Sequence, residues 1–349
     1  MKNIFYASFV PGMKELIAEI LRQRLPDVSL VKLLDGAVIF ETVCSYDRLN
    51  FFCFNNIFAV IDIFDGNVQA RPGTAAPLEL HAKKILAAGK TEMACAVIPE
   101  NSKKIKTFRI VCSLENKPAS ISETARCGVE SFVMRNSALK PNRSGADTEF
   151  WFLYRREGFS VFMKRLTRSV EKRLPPGELP PQLAWLLCRV AGLKPGETAL
   201  DPFCGYGSIA EAAVKHFPVK IFFALDIDAR CIKIARQKQS LKNTRCEIRH
   251  VDSFAAHDFL PEGAFDAIIT DPPWGMYKET GIPLEKFYED TLALFFSLLK
   301  GGGRSVILTA ARRKLEQAAE KTPGLRVTQT IPVLVSGKKA SVYVMEKRA

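Results

Sequence analysis

The most pointed chemistry in the chain lies in Asp271-Pro272-Pro273-Trp274-Gly275. It follows Ala267-Ile268-Ile269-Thr270, a short apolar run that reads as a buried strand. Two prolines then end the strand, because proline has no N–H for a sheet ladder. The C-terminal ends of strands are where open α/β sheets bind ligands. An acid and a proline carbonyl there can accept the two hydrogens of an amine whose lone pair is delocalised into a ring. Held that way, the nitrogen is drawn toward a pyramidal shape with its lone pair aimed at a methyl donor. The carboxylate also stabilises the positive charge that grows on nitrogen. The catalytic set is therefore Asp271, Pro272 and Trp274, the last as a flat face on which a base stacks. The plain rival is a capping Asp and a proline-rich turn beside a core tryptophan, so the surroundings have to decide.

A second stretch, Leu200-Asp201-Pro202-Phe203-Cys204-Gly205-Tyr206-Gly207-Ser208, puts an acid and a Gly-x-Gly loop between a strand and a helix. Glycines allow a tight turn and a close approach to a ligand. The third glycine of a dinucleotide fingerprint is absent, since Ala210 and Ala212 follow. Asp201 would repel a pyrophosphate and suits the ammonium of a methionine moiety, which favours S-adenosylmethionine over NAD. Asp226, ending the next strand, is placed to accept both ribose hydroxyls. Asp228 better suits the N-cap of the following helix. Asp252, ending the third strand, is placed for an adenine amino group, with Ile227 and Phe254 on either side of the ring. The expected cofactor set is Asp201, Phe203, Gly205, Gly207, Asp226, Ile227, Asp252, Ser253 and Asp271. Each acid alone reads equally well as a cap. Three of them ending successive strands, with Asp271 on the fourth, do not. Cys204 has no neighbour in sequence to lower its pKa and reads as a buried thiol.

These residues need a parallel sheet to hold them, and the pattern supplies one. From residue 193 onward strands (198–200, 221–225, 245–250, 267–270, 305–308) alternate with helices (208–217, 229–241, 284–299, 312–319). A final strand pair, 326–335 and 340–347, closes the chain. Residues 1–65 read β-α-β-β-α-β, with a short helix at 49–54, a ferredoxin-like order. Residues 77–88 read as a helix, 93–97 and 107–114 as strands, and Ser120 or Ser122 as the cap of a further helix. A hairpin, 150–155 and 159–166, turns at Glu157-Gly158; its aromatic-rich first strand is read as core. The segment 167–181 is read as a linker that ends in a stiff, extended stretch, 174–181.

The chain has 349 residues and a net charge of +13. Residues 103–173 carry sixteen Lys/Arg and seven Asp/Glu, a net of +9. A basic surface gathered in one region favours a polyanion, with nucleic acid first. The expected phosphate contacts are Lys103, Lys104, Lys106, Arg155, Arg156, Lys164 and Arg165. Nine scattered cysteines and four isolated histidines show no metal-ligand spacing, which argues for reduced thiols in a cytoplasmic protein without a metal. No apolar run is long enough to cross a bilayer. A monomer is favoured.

With Asp201 to Ser208, Asp226, Asp252 and Asp271 to Gly275 in that order, the sequence resembles the THUMP-containing class I RNA methyltransferases, above all the tRNA guanine-N2 methyltransferases. Phe5-Tyr6-Ala7, Pro11 to Leu16 and Lys172 to Ala184 carry the resemblance outside the motifs. It implies a C-terminal Rossmann-like class I methyltransferase domain with a seven-stranded, mostly parallel sheet. A ferredoxin-like domain and a THUMP domain precede it. The implied boundaries are 1–68, 69–166, a linker at 167–181, and 182–349. The implied activity is methyl transfer from S-adenosylmethionine to the N2 amine of a guanine in the acceptor-stem region of tRNA, with the base flipped out of the duplex. An rRNA guanine, a DNA adenine or cytosine amine, a protein glutamine amide, and a non-catalytic RNA-binding protein with a relic cofactor fold remain the alternatives. Trp274 departs from the Tyr or Phe usual in the family, and Gly205-Tyr206-Gly207-Ser208 departs from its frequent Gly-Ser-Gly-Thr.

Overall fold

The computed structural model describes residues 2–45, 49, 51–65, 75–87, 105–167, 174–242, 245–275 and 281–348. The expected strand at 93–97, Lys103 and Lys104 fall outside them. The chain forms two compact units, Met1–Phe9 with Lys14–Glu171, and Val10–Met13 with Lys172–Ala349.

The first unit is built on one sheet. Its elements are β1 (Asn3–Ser8), α1 (Lys14–Arg24), β2 (Ser29–Leu34), β3 (Ala37–Thr42), β4 (Asn56–Phe64), α2 (Ala76–Ala87), β5 (Thr107–Leu114), β6 (Lys117–Ala119), α3 (Glu123–Arg135), β7 (Lys140–Pro141), β8 (Thr148–Arg155) and β9 (Phe159–Arg165). The strand order is β2-β3-β1-β4-β9-β8-β5-β6, with β7 on β5. Its first four strands are mutually antiparallel neighbours, the arrangement of a ferredoxin-like module. The second helix of that module, expected at 49–54, is absent among the described residues. That stretch is too short to repay helix nucleation, and burying Cys53 and Phe54 fixes it instead as an irregular connection. Because β4 pairs directly with β9, the sheet runs without a break across the expected 68/69 boundary.

Packing explains the aromatic strand. Phe150 and Phe152 on β8 are fully buried, and Phe152 stacks on Phe162 of β9 at 4.3 Å between ring centroids. Leu78, Ala82 and Ile85 of α2 and Val129, Phe132 and Val133 of α3 close over them. Ser122 caps α3 by accepting from Ala125 N. His81 of α2 is fully buried in this core, and burial holds its pKa below the usual histidine range. The neutral ring donates from Nε2 to Asp62 of β4 at 3.0 Å and accepts at Nδ1 from Ser160 of β9 at 2.8 Å.

The second unit contains α4 (Pro181–Ala191), β10 (Thr198–Asp201), α5 (Ser208–His216), β11 (Ile221–Asp226), α6 (Ala229–Gln237), β12 (Cys246–His250), β13 (Phe265–Thr270), α7 (Leu284–Leu298), β14 (Leu299–Thr309), α8 (Arg312–Glu320), β15 (Leu325–Val335) and β16 (Lys338–Lys347). The sheet order is β12-β11-β10-β13-β14-β16-β15, parallel through β14 and antiparallel beyond it. Successive strands step one way from β10 and the other way from β13. That reversal opens a crevice at their C-terminal ends.

Two local expectations are corrected here. The helix read at 229–241 stops at Gln237, and a 3-10 turn, Gln239–Lys242, follows. Lys238 adopts an extended backbone, and its ammonium pairs with Glu178 at 2.7 Å. The segment before α4 is not simply extended. Glu178 N donates to Pro175 O at 3.0 Å around Gly177, whose φ is 83°. Proline then glycine at the two central positions is the chemistry of a type II turn.

The His81 bridge generates a stability prediction. His81→Leu leaves Ser160 without its partner in a dry core, so unfolding of the first unit by denaturant is expected to become easier by about 1–3 kcal/mol. An unchanged midpoint would contradict the role given to that bridge.

Candidate active site

The sequence places Asp201, Asp226 and Asp271 at or just past the ends of β10, β11 and β13, and hydrogen-bond donors fix each one. Asp201 is fully buried. Its Oδ1 accepts from Thr270 Oγ1 at 2.7 Å and from Phe203 N at 3.1 Å. Burial pushes its carboxyl up to about 8, and the charges of Asp226 and Asp271 add to the rise. Because β10 pairs with both β11 and β13, and Thr270 beside Asp271 bonds Asp201, the three acids lie at the same end of the sheet. Asp226 accepts from Gly205 N at 2.7 Å and from Asp228 N at 2.8 Å, so it clamps the glycine loop to β11. Asp228 caps α6, as its position suggested, by accepting from Arg230 N and Cys231 N.

The loop needs its glycines. Gly205 has φ 50° with open space where a Cβ would stand. Gly207 has φ 76°, and a Cβ there would meet Leu241 at 2.8 Å and Ala235 at 3.2 Å. Beside the loop, Ile227 is 68% exposed, so its apolar side chain is open to a ligand. Phe203 and Phe254 meet edge-on at 6.2 Å, with Phe287 against both. Exposed Asp252 accepts from Phe254 N at 3.0 Å and caps the turn Ser253–Asp258. Ser253 is buried and donates to Pro202 O, so it braces the loop. An open cradle, an exposed apolar edge and carboxylates with spare acceptor capacity fit an adenosyl group with an attached ammonium. Cys204 is buried, and burial holds its thiol well above its ordinary range, which keeps it protonated.

Asp271 is half-buried, and desolvation pushes its carboxyl up to about 7. Trp274 donates from Nε1 to Asp271 Oδ1 at 2.8 Å. Pro272 is buried. The Pro273 carbonyl accepts from Tyr288 of α7 at 3.2 Å, and the Tyr288 hydroxyl also bonds Thr309 of β14 at 2.6 Å. Thr270, Tyr288 and Thr309 were not foreseen. Thr270 was readable as a polar residue at the end of an apolar strand. Tyr288 and Thr309 reach the motif only through tertiary packing and leave no local signal.

The expected phosphate contacts divide. Lys106 and Arg156 are exposed. Arg155, Lys164 and Arg165 are corrections. Arg155 is 8% exposed and paired with Glu157 at 3.1 Å. Lys164 is 3% exposed, with burial lowering its pKa to about 8. Arg165 is drawn inward to Glu149 at 3.0 Å and Asn56 at 2.6 Å. Strands β8 and β9 are covered on both faces, and carboxylates stand beside Arg155 and Arg165, so these side chains are taken out of water, and charge in the sequence does not report that. Among the described residues no cluster of His, Cys, Asp or Glu is able to hold a metal, and no helix is long and apolar enough to cross a membrane.

The sheet order, the glycine loop and the acids at the strand ends define a class I methyltransferase fold. Comparison with known proteins adds what the chain is similar to. Residues 168–340 match UPF0020, described as an RMKL-like methyltransferase domain. The chain is 34% identical over 193 residues to a tRNA (guanine(6)-N2)-methyltransferase of Thermus thermophilus, covering 54% of this chain and 56% of that protein. It is 37% identical over 131 residues to a tRNA (guanine(10)-N2)-dimethyltransferase of Methanothermobacter thermautotrophicus, covering 37% of each. The chain thus spans about half the length, or less, of these curated relatives. The crystal structure of TrmN from Thermus thermophilus shares the fold over 99% of both chains, with a TM-score of 0.76 and 23% identity.

Asp201 carries a pH-dependent cost. Its folded pKa of about 8 stands above the unfolded carboxylate value. Stability is therefore greatest below the unfolded pKa and is lost as pH rises through about 8. Asp201→Asn keeps an acceptor for Thr270 and Phe203 N and removes the ionisation. The ligand-free variant is expected to melt higher than wild type at pH 8, with the difference shrinking toward pH 4. Parallel melting curves across that range would contradict the burial argument.

Proposed function

We propose that this chain transfers a methyl group from S-adenosylmethionine to the exocyclic N2 amine of a guanine in tRNA. The observation that carries the proposal is the meeting of Asp271-Pro272-Pro273-Trp274 with the Asp201 and Asp226 loop in one crevice. The guanine-N2 choice and the tRNA choice draw support from what the relatives are named for. The first unit, with its ferredoxin-like strand order, supplies the THUMP-type grip on the RNA, in which exposed Lys106 and Arg156 contact phosphates. The free cysteines among the described residues suit a reducing cytoplasm.

When bound, S-adenosylmethionine supplies a methyl carbon made electrophilic by its sulfonium. The chain does the rest by position. Asp226 and Ser253 hold the glycine loop, and Ile227 with Phe254 offers the apolar surface for an adenine ring. Asp252 is the acceptor for the adenine amino group. At the amine, Asp271 and the Pro272 carbonyl each accept one N–H. These two contacts would turn the nitrogen lone pair toward the donor, whose methyl group would pass from sulfur to nitrogen, and the methylated amine would then have a proton to lose. With its carboxyl at about 7, Asp271 is able to take up the proton lost.

The test incubates the full chain with methyl-labelled S-adenosylmethionine and, separately, total tRNA, rRNA and DNA, then digests the nucleic acid and identifies the labelled nucleoside. N2-methylguanosine confined to tRNA is expected. Label in rRNA guanine moves the substrate. Label only in DNA, or none, contradicts the proposal.

A further inference from the structure

Trp274 presents an edge as well as a face. Its indole N–H donates to Asp271 Oδ1 at 2.8 Å, and among the described residues no second donor reaches that carboxyl. The motif has little else to hold it. Neither proline has an N–H, so a backbone ladder cannot fix the loop. Side chains do so instead. Trp274 grips Asp271 on one side of Pro272, and Tyr288 grips the Pro273 carbonyl on the other. Tyr288 is fully buried and is held in turn by Thr309, whose Oγ1 accepts from Ala311 N at 2.9 Å.

Resting on the methyl-transfer reading, we propose that Trp274 is a positioning residue for Asp271. Its indole N–H fixes Oδ1 and leaves Oδ2 as the acceptor presented to the amine. The choice of residue follows from this geometry. Phenylalanine offers a comparable stacking face and no donor. Tyrosine carries its donor at the far end of the ring. Of the three large aromatic residues, tryptophan alone combines a face for the base with an N–H on the edge that meets the carboxyl.

The hydrogen bond favours the ionised carboxylate and opposes the rise that desolvation causes. The other titratable groups facing Asp271 are Asp201 at the end of β10, with Asp226 beside it on β11, and Tyr288 on α7. Burial keeps the Tyr288 phenol protonated, and Asp201 titrates close to Asp271. The indole titration is therefore followed in wild type and in Asp201→Asn, which removes the nearer second titration.

Two readouts test the proposal. The first needs no activity. The full chain is labelled with 15N-tryptophan, and the Trp274 indole resonance is identified by its absence from Trp274→Phe. It is expected to move with pH as Asp271 ionises and to lose that movement in Asp271→Asn. A resonance indifferent to pH overturns the hydrogen bond. The second readout is kinetic, with S-adenosylmethionine and the RNA that accepts label. Trp274→Phe is expected to lower kcat by about ten-fold or more while KM for RNA changes by less than about three-fold. The acid limb of its kcat profile is expected to move up by roughly one pH unit. Trp274→Ala is expected to raise KM as well, because the stacking face is lost too. A Trp274→Phe enzyme that changes KM alone, with its acid limb in place, overturns the proposal and leaves Trp274 as a stacking surface. A wild-type chain that transfers no methyl group overturns the function beneath it, while the indole titration still decides the hydrogen bond.

Discussion

Three carboxylates share the crevice at the end of one parallel sheet, and the architecture must keep them there against desolvation and their mutual repulsion. Hydrogen-bond donors do this work. Thr270 and the Phe203 amide hold Asp201, the Gly205 and Asp228 amides hold Asp226, and the Trp274 indole holds Asp271. Each donor is set by a strand end or by the tight loop after it. The position of the whole set depends on the reversal of strand order between β10 and β13. The arrangement is destabilising in itself, since a buried acid at about 8 and a half-buried one at about 7 cost free energy when ionised. Such strain gathers where chemistry requires it.

The same donors divide the acids by role. Asp226 spends its carboxylate on the backbone of the glycine loop and shapes the cofactor cradle. Asp201 is the most deeply buried and braces the loop through Phe203 and the neighbouring strand through Thr270. Asp271 is half-buried, leaves one oxygen without a partner among the described residues, and lies next to the buried Pro272. A pair of acceptors at that point is what the proposed amine chemistry needs. Residues from α7 and β14, distant in sequence, stiffen the loop that carries it.

Much of this was readable in the sequence because it is written in local chemistry. Apolar runs set between helical patterns marked the central strands of the second unit, since a parallel sheet buried on both faces demands such runs. Gly205, Gly207 and the acids after each strand fell where expected because backbone turns and caps are local rules. The reading failed where tertiary context takes over. The helix expected at 49–54 gave way to core burial. The helix beyond Gln237 broke where Lys238 found Glu178 and Leu241 packed under Gly207. Arg155, Lys164 and Arg165 read as phosphate contacts by charge, yet burial of both faces of β9 covers Lys164, and Glu157 and Glu149 draw Arg155 and Arg165 inward. Tyr288 and Thr309 carried no signal because their function depends on contact with a motif in another element.

The central claim is that the Asp271 carboxylate acts on the amine and not on the cofactor. The most direct measurement compares Asp271→Asn with wild type for equilibrium binding of S-adenosylmethionine and for the single-turnover rate of methyl transfer at saturating donor and RNA. The account predicts near-normal donor binding with a rate lower by about a hundred-fold or more. A variant that binds the donor poorly yet transfers methyl at the wild-type rate once saturated would contradict it.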